Sequence, residues 1–370
     1  MQTAYRKALG WTWSPTQLGE PEDENSTDYD YMNSSGSMTS TCMDEQNVAV
    51  GFQPVLYSLI FLLGVVGNGL MITVLLRCRR LLRITEIYLL HLAVADLLLL
   101  MTFPFYVVEY VTGWLFGEIL CKLMGLVKCL NLLCGSFLLA CIGFDRYLAI
   151  VHAIPSMRNR RPRTVHITCS ILWLVCLGLS LPNVAFLTVK EERANTSRFS
   201  CFYYHHELHA HNWLLTNRVF DHVSFFLSLA IMSYCYTAVV VTLRRSQKSQ
   251  AKQGAIRLAL LLTLVFCFCW LPYNITLLIQ TLVDLEVIKY KSCESYVRLQ
   301  TALDLTNGLG FSHSCLNPFL YAFVGVKFRN ELNRLLLELG CSPVCLPFNR
   351  NQGHSRQSTS DGATNLSSIM

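Results

Sequence analysis

Seven apolar runs, each long enough to cross a bilayer, decide what this chain can fold into. A spanning helix needs about 20 mostly apolar residues, and such runs occupy 52–77, 85–112, 119–144, 165–188, 219–243, 255–283 and 299–324. In hydrocarbon every backbone polar group must find its partner within the spanning segment, so the expected fold is an all-α bundle of seven transmembrane helices. Composition agrees: hydrophobic residues make up 52% of the 370 and charged residues 15%, too apolar for an ordinary soluble surface. Most of the 16 cysteines lie inside these runs, where a thiol behaves as a small hydrophobe. No secretory signal precedes the first run, which is therefore expected to direct insertion itself.

The linkers orient the bundle. The first carries Arg77, Arg79, Arg80 and Arg83, the third Arg158, Arg160, Arg161 and Arg163, and the fifth Arg244, Arg245, Lys248, Lys252 and Arg257. Linkers two, four and six are mixed or acidic. Basic loops stay in the cytoplasm, which predicts an extracellular N-terminus and a cytoplasmic C-terminus. The chain then divides into an acidic outer tail (1–51), the bundle (52–325), a short amphipathic helix (326–340) and an inner tail (341–370) rich in serine and threonine. In the short helix Phe328, Leu332, Leu335, Leu336 and Leu339 share one face. Cys341 and Cys345 follow it as palmitoylation candidates, within reach of membrane lipid.

Ionisable groups at membrane depth are costly and point to function. Asp96 sits in the second run, Asn68 in the first, Asn131 in the third, and His313 and Asn317 in the seventh. Two readings stand: a polar clamp between helices, or a hydrated cavity holding a hard cation such as sodium. Asp145, Arg146 and Tyr147 end the third run on the inner side, where a carboxylate beside a guanidinium makes a switchable pair. Pro272 and Pro318 interrupt the hydrogen-bond ladders of the sixth and seventh runs, as hinges or as plain packing kinks. Trp270 stands beside the first of them.

These residues together resemble the rhodopsin-like G-protein-coupled receptors. The match runs through Gly67-Asn68, Leu92–Asp96, Asp145-Arg146-Tyr147, Trp173, Cys269–Pro272 and Asn317–Tyr321, each in its expected run. Within that superfamily, Asp145–Val151 and Thr102-Phe103-Pro104 resemble the chemokine receptors. Tyr57–Gly64, His91–Leu99, Leu139–Ile142, Asp145–Ala153, His166–Cys169 and Gly325–Arg329 are similar to a C-X-C member that homes B cells to lymphoid tissue.

The resemblance implies a plasma-membrane receptor that binds a C-X-C chemokine and activates a heterotrimeric G protein of the inhibitory class, leading to chemotaxis. It implies disulfides from Cys121 to Cys201 and from Cys42 to Cys293. Asp28, Tyr29, Asp30 and Tyr31 in the outer tail would meet a basic ligand, which acidic charge attracts at long range, and the tyrosines are sulfation candidates. At the bundle mouth Tyr106, Glu109, Trp114, Lys128, Asp304 and Asn307 would make the second contact, with a Glu109–Lys128 salt bridge as the alternative role for that pair. On the inner side Tyr236 and Tyr321 would join Arg146 in gripping the G protein. Asn25, Asn33 and Asn195 head outer-side glycosylation sequons. Serines and threonines from Ser355 onward would serve receptor kinases and arrestin.

Three positions depart from the family pattern. Ser228 stands where a proline is usual, Asn307 where a glutamate is usual, and Gly135 where a serine completes the sodium cavity. A transporter would want internal repeats or broken midplane helices, and an opsin would need lysine at Phe311. No catalytic constellation appears, no cofactor beyond the allosteric sodium ion is implied, and nothing suggests a nucleic-acid partner. The remaining alternatives are an atypical scavenging receptor acting only through arrestin and a peptide receptor of the same superfamily.

Overall fold

The computed structural model describes residues 52–77, 82–152, 162–185, 187–191, 198–203, 208–245, 250–288, 292–324, 326–338 and 340, without the side chains of 202–203, 208–214, 245, 250–255, 293, 323–324 and 326–327. Expectations at Asn25, Asp28, Tyr29, Asp30, Tyr31, Asn33, Cys42, Asn195, Cys341 and Cys345 lie outside the described residues, as does the side chain of Cys293 and hence its pairing.

The helices are α1 (Phe52–Arg77), α2 (Ile84–Leu100), α3 (Phe103–Thr112), α4 (Gly117–Ile150), α5 (Pro162–Ala185), α6 (Leu208–Arg245), α7 (Gln250–Asp284), α8 (Cys293–Val324) and α9 (Val326–Glu338). Between α5 and α6 a hairpin pairs β1 (Leu187–Glu191) antiparallel with β2 (Phe199–Tyr203), with Val189 opposite Cys201. Most helices outrun the apolar stretches that announce them, because helix formation continues past the hydrocarbon into the interface. Among the described residues, six spans are long and apolar enough to cross a membrane on length and composition alone. The seventh, α8, has 32 residues; Arg298, Asp304, Asn307, His313 and Asn317 dilute its apolar character. The fold is the expected seven-helix bundle, with α2 and α3 together making the second span.

That second span breaks for a local reason. Pro104 lacks an N–H and so removes one bond from the ladder at this point. Thr102 Oγ1 donates instead to Leu99 O at 2.6 Å, and a tight turn closes with Thr102 N on Leu99 O at 2.9 Å. Pro272 and Pro318 lie inside α7 and α8, which continue through them.

At the inner end α9 lays Phe328 and Leu335 into the core. The Phe328 ring meets Tyr321 edge-on at 4.7 Å, and Glu338 pairs with Arg77 at the end of α1. The short helix is thus fastened to both the first and the seventh span.

Candidate functional site

The outer end of the bundle is built around a disulfide and an aromatic cluster. Cys121 near the start of α4 is bonded to Cys201 in β2, which draws the hairpin across the mouth. Glu109 Oε1 accepts the Cys201 amide at 3.2 Å. Trp114 is 2% exposed and donates its indole N–H to Gly117 O at 2.8 Å. It packs with Phe116, Met124 and Leu187, so this side chain, in the loop after α3, lies buried against the hairpin.

Lys128 reaches into the mouth from α4, its ammonium 5.0 Å from the Tyr273 ring centre and 5.6 Å from that of Phe311. Such a cation over ring faces is held by the ring quadrupole. The lysine sits there while Glu109 accepts the Cys201 amide of the hairpin. Asp304, exposed on α8, lies within electrostatic reach of Lys128 and of Tyr57. Asn307, on the same helix as Asp304, lies beside Tyr57, its Oδ1 buried without a hydrogen-bond partner among the described residues. Tyr57 itself packs on Phe103, Tyr106, Tyr110 and Phe311 with centroids 5.5 to 6.1 Å away.

Below that cluster lies Trp270, fully buried. Its ring meets Tyr273 at 5.7 Å and Phe311 at 6.0 Å. Gly310 makes the seat possible: a Cβ there would come within 2.7 Å of the indole. The indole N–H is donated to His313 Nδ1 at 3.1 Å. His313 Nε2 lies 3.3 Å from Asp96 Oδ1, although off the line of a strong hydrogen bond. Nδ1 also lies 2.6 Å from Gly310 O, and one ring nitrogen cannot both accept from Trp270 and donate to that carbonyl. We assign the Nε2–H tautomer, because an indole N–H can only donate and a carboxylate at neutral pH can only accept.

Asp96 is fully buried and is the meeting point of three helices, α2, α4 and α8. Asn131 Nδ2 donates to its Oδ1 at 3.1 Å and Asn317 Nδ2 to its Oδ2 at 2.8 Å. Asn68 ties α1 to α8 one layer further in, donating to Ser314 O at 2.7 Å. For a sodium ion the fit is poor. Asn131 Oδ1 is buried without a partner and could serve, but the His313 N–H faces the same carboxylate oxygen. A hard cation takes six or more oxygens. The place where a serine would add one is taken up: a Cβ on Gly135 would lie 2.9 Å from Phe266 Cε2.

On the inner side Arg146 NH2 pairs with Asp145 Oδ2 at 3.1 Å and donates to Thr85 Oγ1 at 2.6 Å. Tyr236 is buried, accepting from Thr263 Oγ1 at 3.3 Å, and Tyr321 is buried against Phe328. The three inner-face residues thus each rest on a different partner. Tyr147 lies outside this group, its hydroxyl 2.9 Å from His152 Nε2.

Sequence reasoning missed the cluster formed by Tyr57, Tyr110, Tyr273 and Phe311, whose composition matches any packed core. It also missed Asp221, a carboxylate inside the fifth run and so carrying a signal that could have been used. Asp221 Oδ2 accepts from Asn183 Nδ2 at 3.3 Å, and the same amide reaches Cys129 Sγ at 3.2 Å.

A family model for the 7 transmembrane receptor (rhodopsin family) matches residues 67–321. The chain is 42% identical over 322 residues to C-X-C chemokine receptor type 5 of Homo sapiens, covering 86% of each. It is 43% identical over 323 residues to the Mus musculus receptor of that name. It is 40% identical over 350 residues to C-X-C chemokine receptor type 3 of Homo sapiens, covering 93% of each.

Proposed function

The chain belongs to the rhodopsin family of seven-transmembrane receptors and within it to the chemokine receptors, and on that premise we propose that it binds a C-X-C chemokine outside the cell and activates an inhibitory-class G protein inside. Receptors of this kind are multi-pass plasma-membrane signalling proteins and not enzymes. The inhibitory coupling lowers cyclic AMP and drives chemotaxis, with homing of B cells to lymphoid tissue as the setting its type 5 relatives suggest.

One observation carries this reading: an unbroken line of contacts from mouth to inner half. Lys128 touches Tyr273 and Phe311, both rings rest on Trp270, Trp270 bonds His313, and His313 faces the carboxylate that holds Asn317. A chemokine's basic body would be gathered by the acidic outer tail. Its amino-terminal segment would then enter the mouth, where Asp304 and Glu109 offer carboxylates and Tyr106 and Asn307 line the wall. Pressure on Tyr273 and Phe311 would tilt Trp270, and Pro272 would let the inner half of α7 swing outward. Arg146 would then leave Thr85 and, with Tyr236 and Tyr321, receive a G-protein helix. Phosphorylation of the inner tail by receptor kinases and arrestin binding would end the signal, with Cys341 and Cys345 acylated at the inner leaflet.

The experiment is GDP exchange on a purified inhibitory G protein by the receptor in lipid, driven by a panel of C-X-C chemokines. Exchange stimulated by at least one member is expected. Chemokine binding without exchange would instead identify a scavenging receptor.

A further inference from the structure

Away from this relay, α2 and α5 bring two histidines together. His91 Nε2 and His166 Nδ1 are 3.3 Å apart, with ring centres 5.5 Å apart and planes 57° to each other. His91 is partly exposed and His166 exposed. At a rise of about 1.5 Å per residue, His91 lies about 10 Å along α2 from Ile84, and His166 about 6 Å along α5 from Pro162. Arg83 and Arg163 stand at those same helix ends. The pair therefore sits close beneath the inner headgroup region, where water and dissolved ions reach.

At this separation one ring donates its N–H to the lone pair of the other. A neutral imidazole can instead carry its proton on the far nitrogen, Nδ1 for His91 and Nε2 for His166. In that tautomer both near nitrogens turn lone pairs toward the same gap, and no proton is gained or lost. Tetrahedral zinc holds imidazole nitrogen at about 2.0–2.1 Å, and the tetrahedral angle then sets two such nitrogens about 3.3–3.4 Å apart. That is the spacing already present, held by two helix backbones. We propose that His91 and His166 form a two-imidazole site for a divalent transition ion of the zinc class. Water or headgroup phosphate oxygens fill the remaining positions, and the occupied site clasps the inner halves of the second and fourth spans. Occupation needs one tautomer shift and no displacement of either helix.

The test uses the full-length receptor in phosphatidylcholine nanodiscs, stripped with chelator, with histidines modified by diethyl pyrocarbonate and read peptide by peptide by mass spectrometry. Micromolar zinc chloride is expected to slow modification of His91 and His166 together by about tenfold, equivalent to about 1.4 kcal/mol. In His166→Phe, zinc should no longer protect His91. Protection of neither histidine in the natural sequence would reduce the pair to a plain hydrogen bond between helices and overturn the proposal. So would unchanged protection of His91 in the variant. The first reading needs no variant to fold, and peptide resolution keeps His205, His206, His209 and His211 out of the count.

Discussion

Trp270 and His313 are joined by an indole N–H donated to Nδ1 at 3.1 Å, which makes the rotamer of the buried tryptophan depend on a histidine that also faces Asp96. Replacing His313 by leucine removes both contacts. The Trp270 N–H is left unpaired in a dry core, at a cost of about 1–3 kcal/mol. The expected outcome for His313→Leu is a lower melting temperature and a loss of chemokine-driven GDP exchange, with chemokine affinity within a few-fold of the natural receptor. Exchange at the natural level would mean that the tryptophan passes its motion on by another route.

The cavity at Asp96 leads to a second expectation. Because the His313 N–H faces the carboxylate and Phe266 fills the space beside Gly135, chemokine affinity should be the same in sodium chloride as in choline chloride. Gly135→Ser would not restore a sodium response. Its Cβ would meet Phe266 at 2.9 Å, and overpacking of this kind costs about 1–3 kcal/mol. Thermal melting and radioligand competition in the two salts check both statements; a sodium-dependent loss of affinity in the natural receptor would refute the first.

How far the sequence reaches is visible in particular residues. The spans were legible because a bilayer demands a fixed apolar length, whereas the break at Thr102 was signalled only by the resemblance of Thr102-Phe103-Pro104 to the chemokine receptors. Trp114 was placed in the loop after the second span, but its burial depends on a hairpin held by Cys121 and Cys201, a tertiary fact with no local signature. Asn307 and Gly135 were recognised as departures, but only the structure shows Tyr57 near the one and Phe266 against the other. The seventh span was legible from the apolar length of 299–324 despite its polar load, with Asn317–Tyr321 marking its inner end. The pairing of His91 with His166 could not be read at all, because 75 residues separate them.

Thr85 is the partner that keeps Arg146 from the G-protein side. A hydrogen bond to a charged group contributes about 1.5–3 kcal/mol, and its loss should bias the inner face toward opening. Thr85→Ala is expected to raise ligand-free GDP exchange by about tenfold, which corresponds to about 1.4 kcal/mol. Surface expression measured alongside should stay close to that of the natural chain. Unchanged basal exchange would leave Asp145 as the only restraint that matters.

Asp304 supplies the mouth with a carboxylate where the family's usual glutamate is replaced by Asn307. Lys128 is within electrostatic reach of it, yet the carboxylate remains exposed to an incoming ammonium or guanidinium. Asp304→Asn keeps the shape and removes the charge. Signalling potency should fall by about tenfold, or about 1.4 kcal/mol, while cell-surface expression by antibody staining changes much less. Equal losses of both would assign the residue to folding.

The clasp between α1 and α9 should respond to pH with a definite sign. Hydrogen bonding to the Arg77 guanidinium, reinforced by its charge, holds the Glu338 carboxyl below its ordinary value. A group whose folded value is depressed stabilises the folded state fully above its unfolded value, and that contribution is lost as pH falls through the lowered folded value. Glu338→Gln should therefore melt slightly below the natural receptor at neutral pH, and the two curves should converge in acid beneath the usual carboxylate range. The pair is solvent-exposed, so the difference at neutral pH should be small and should shrink further in high salt. Melting curves across pH and ionic strength check each part, and a difference that widens in acid would reverse the sign argued here.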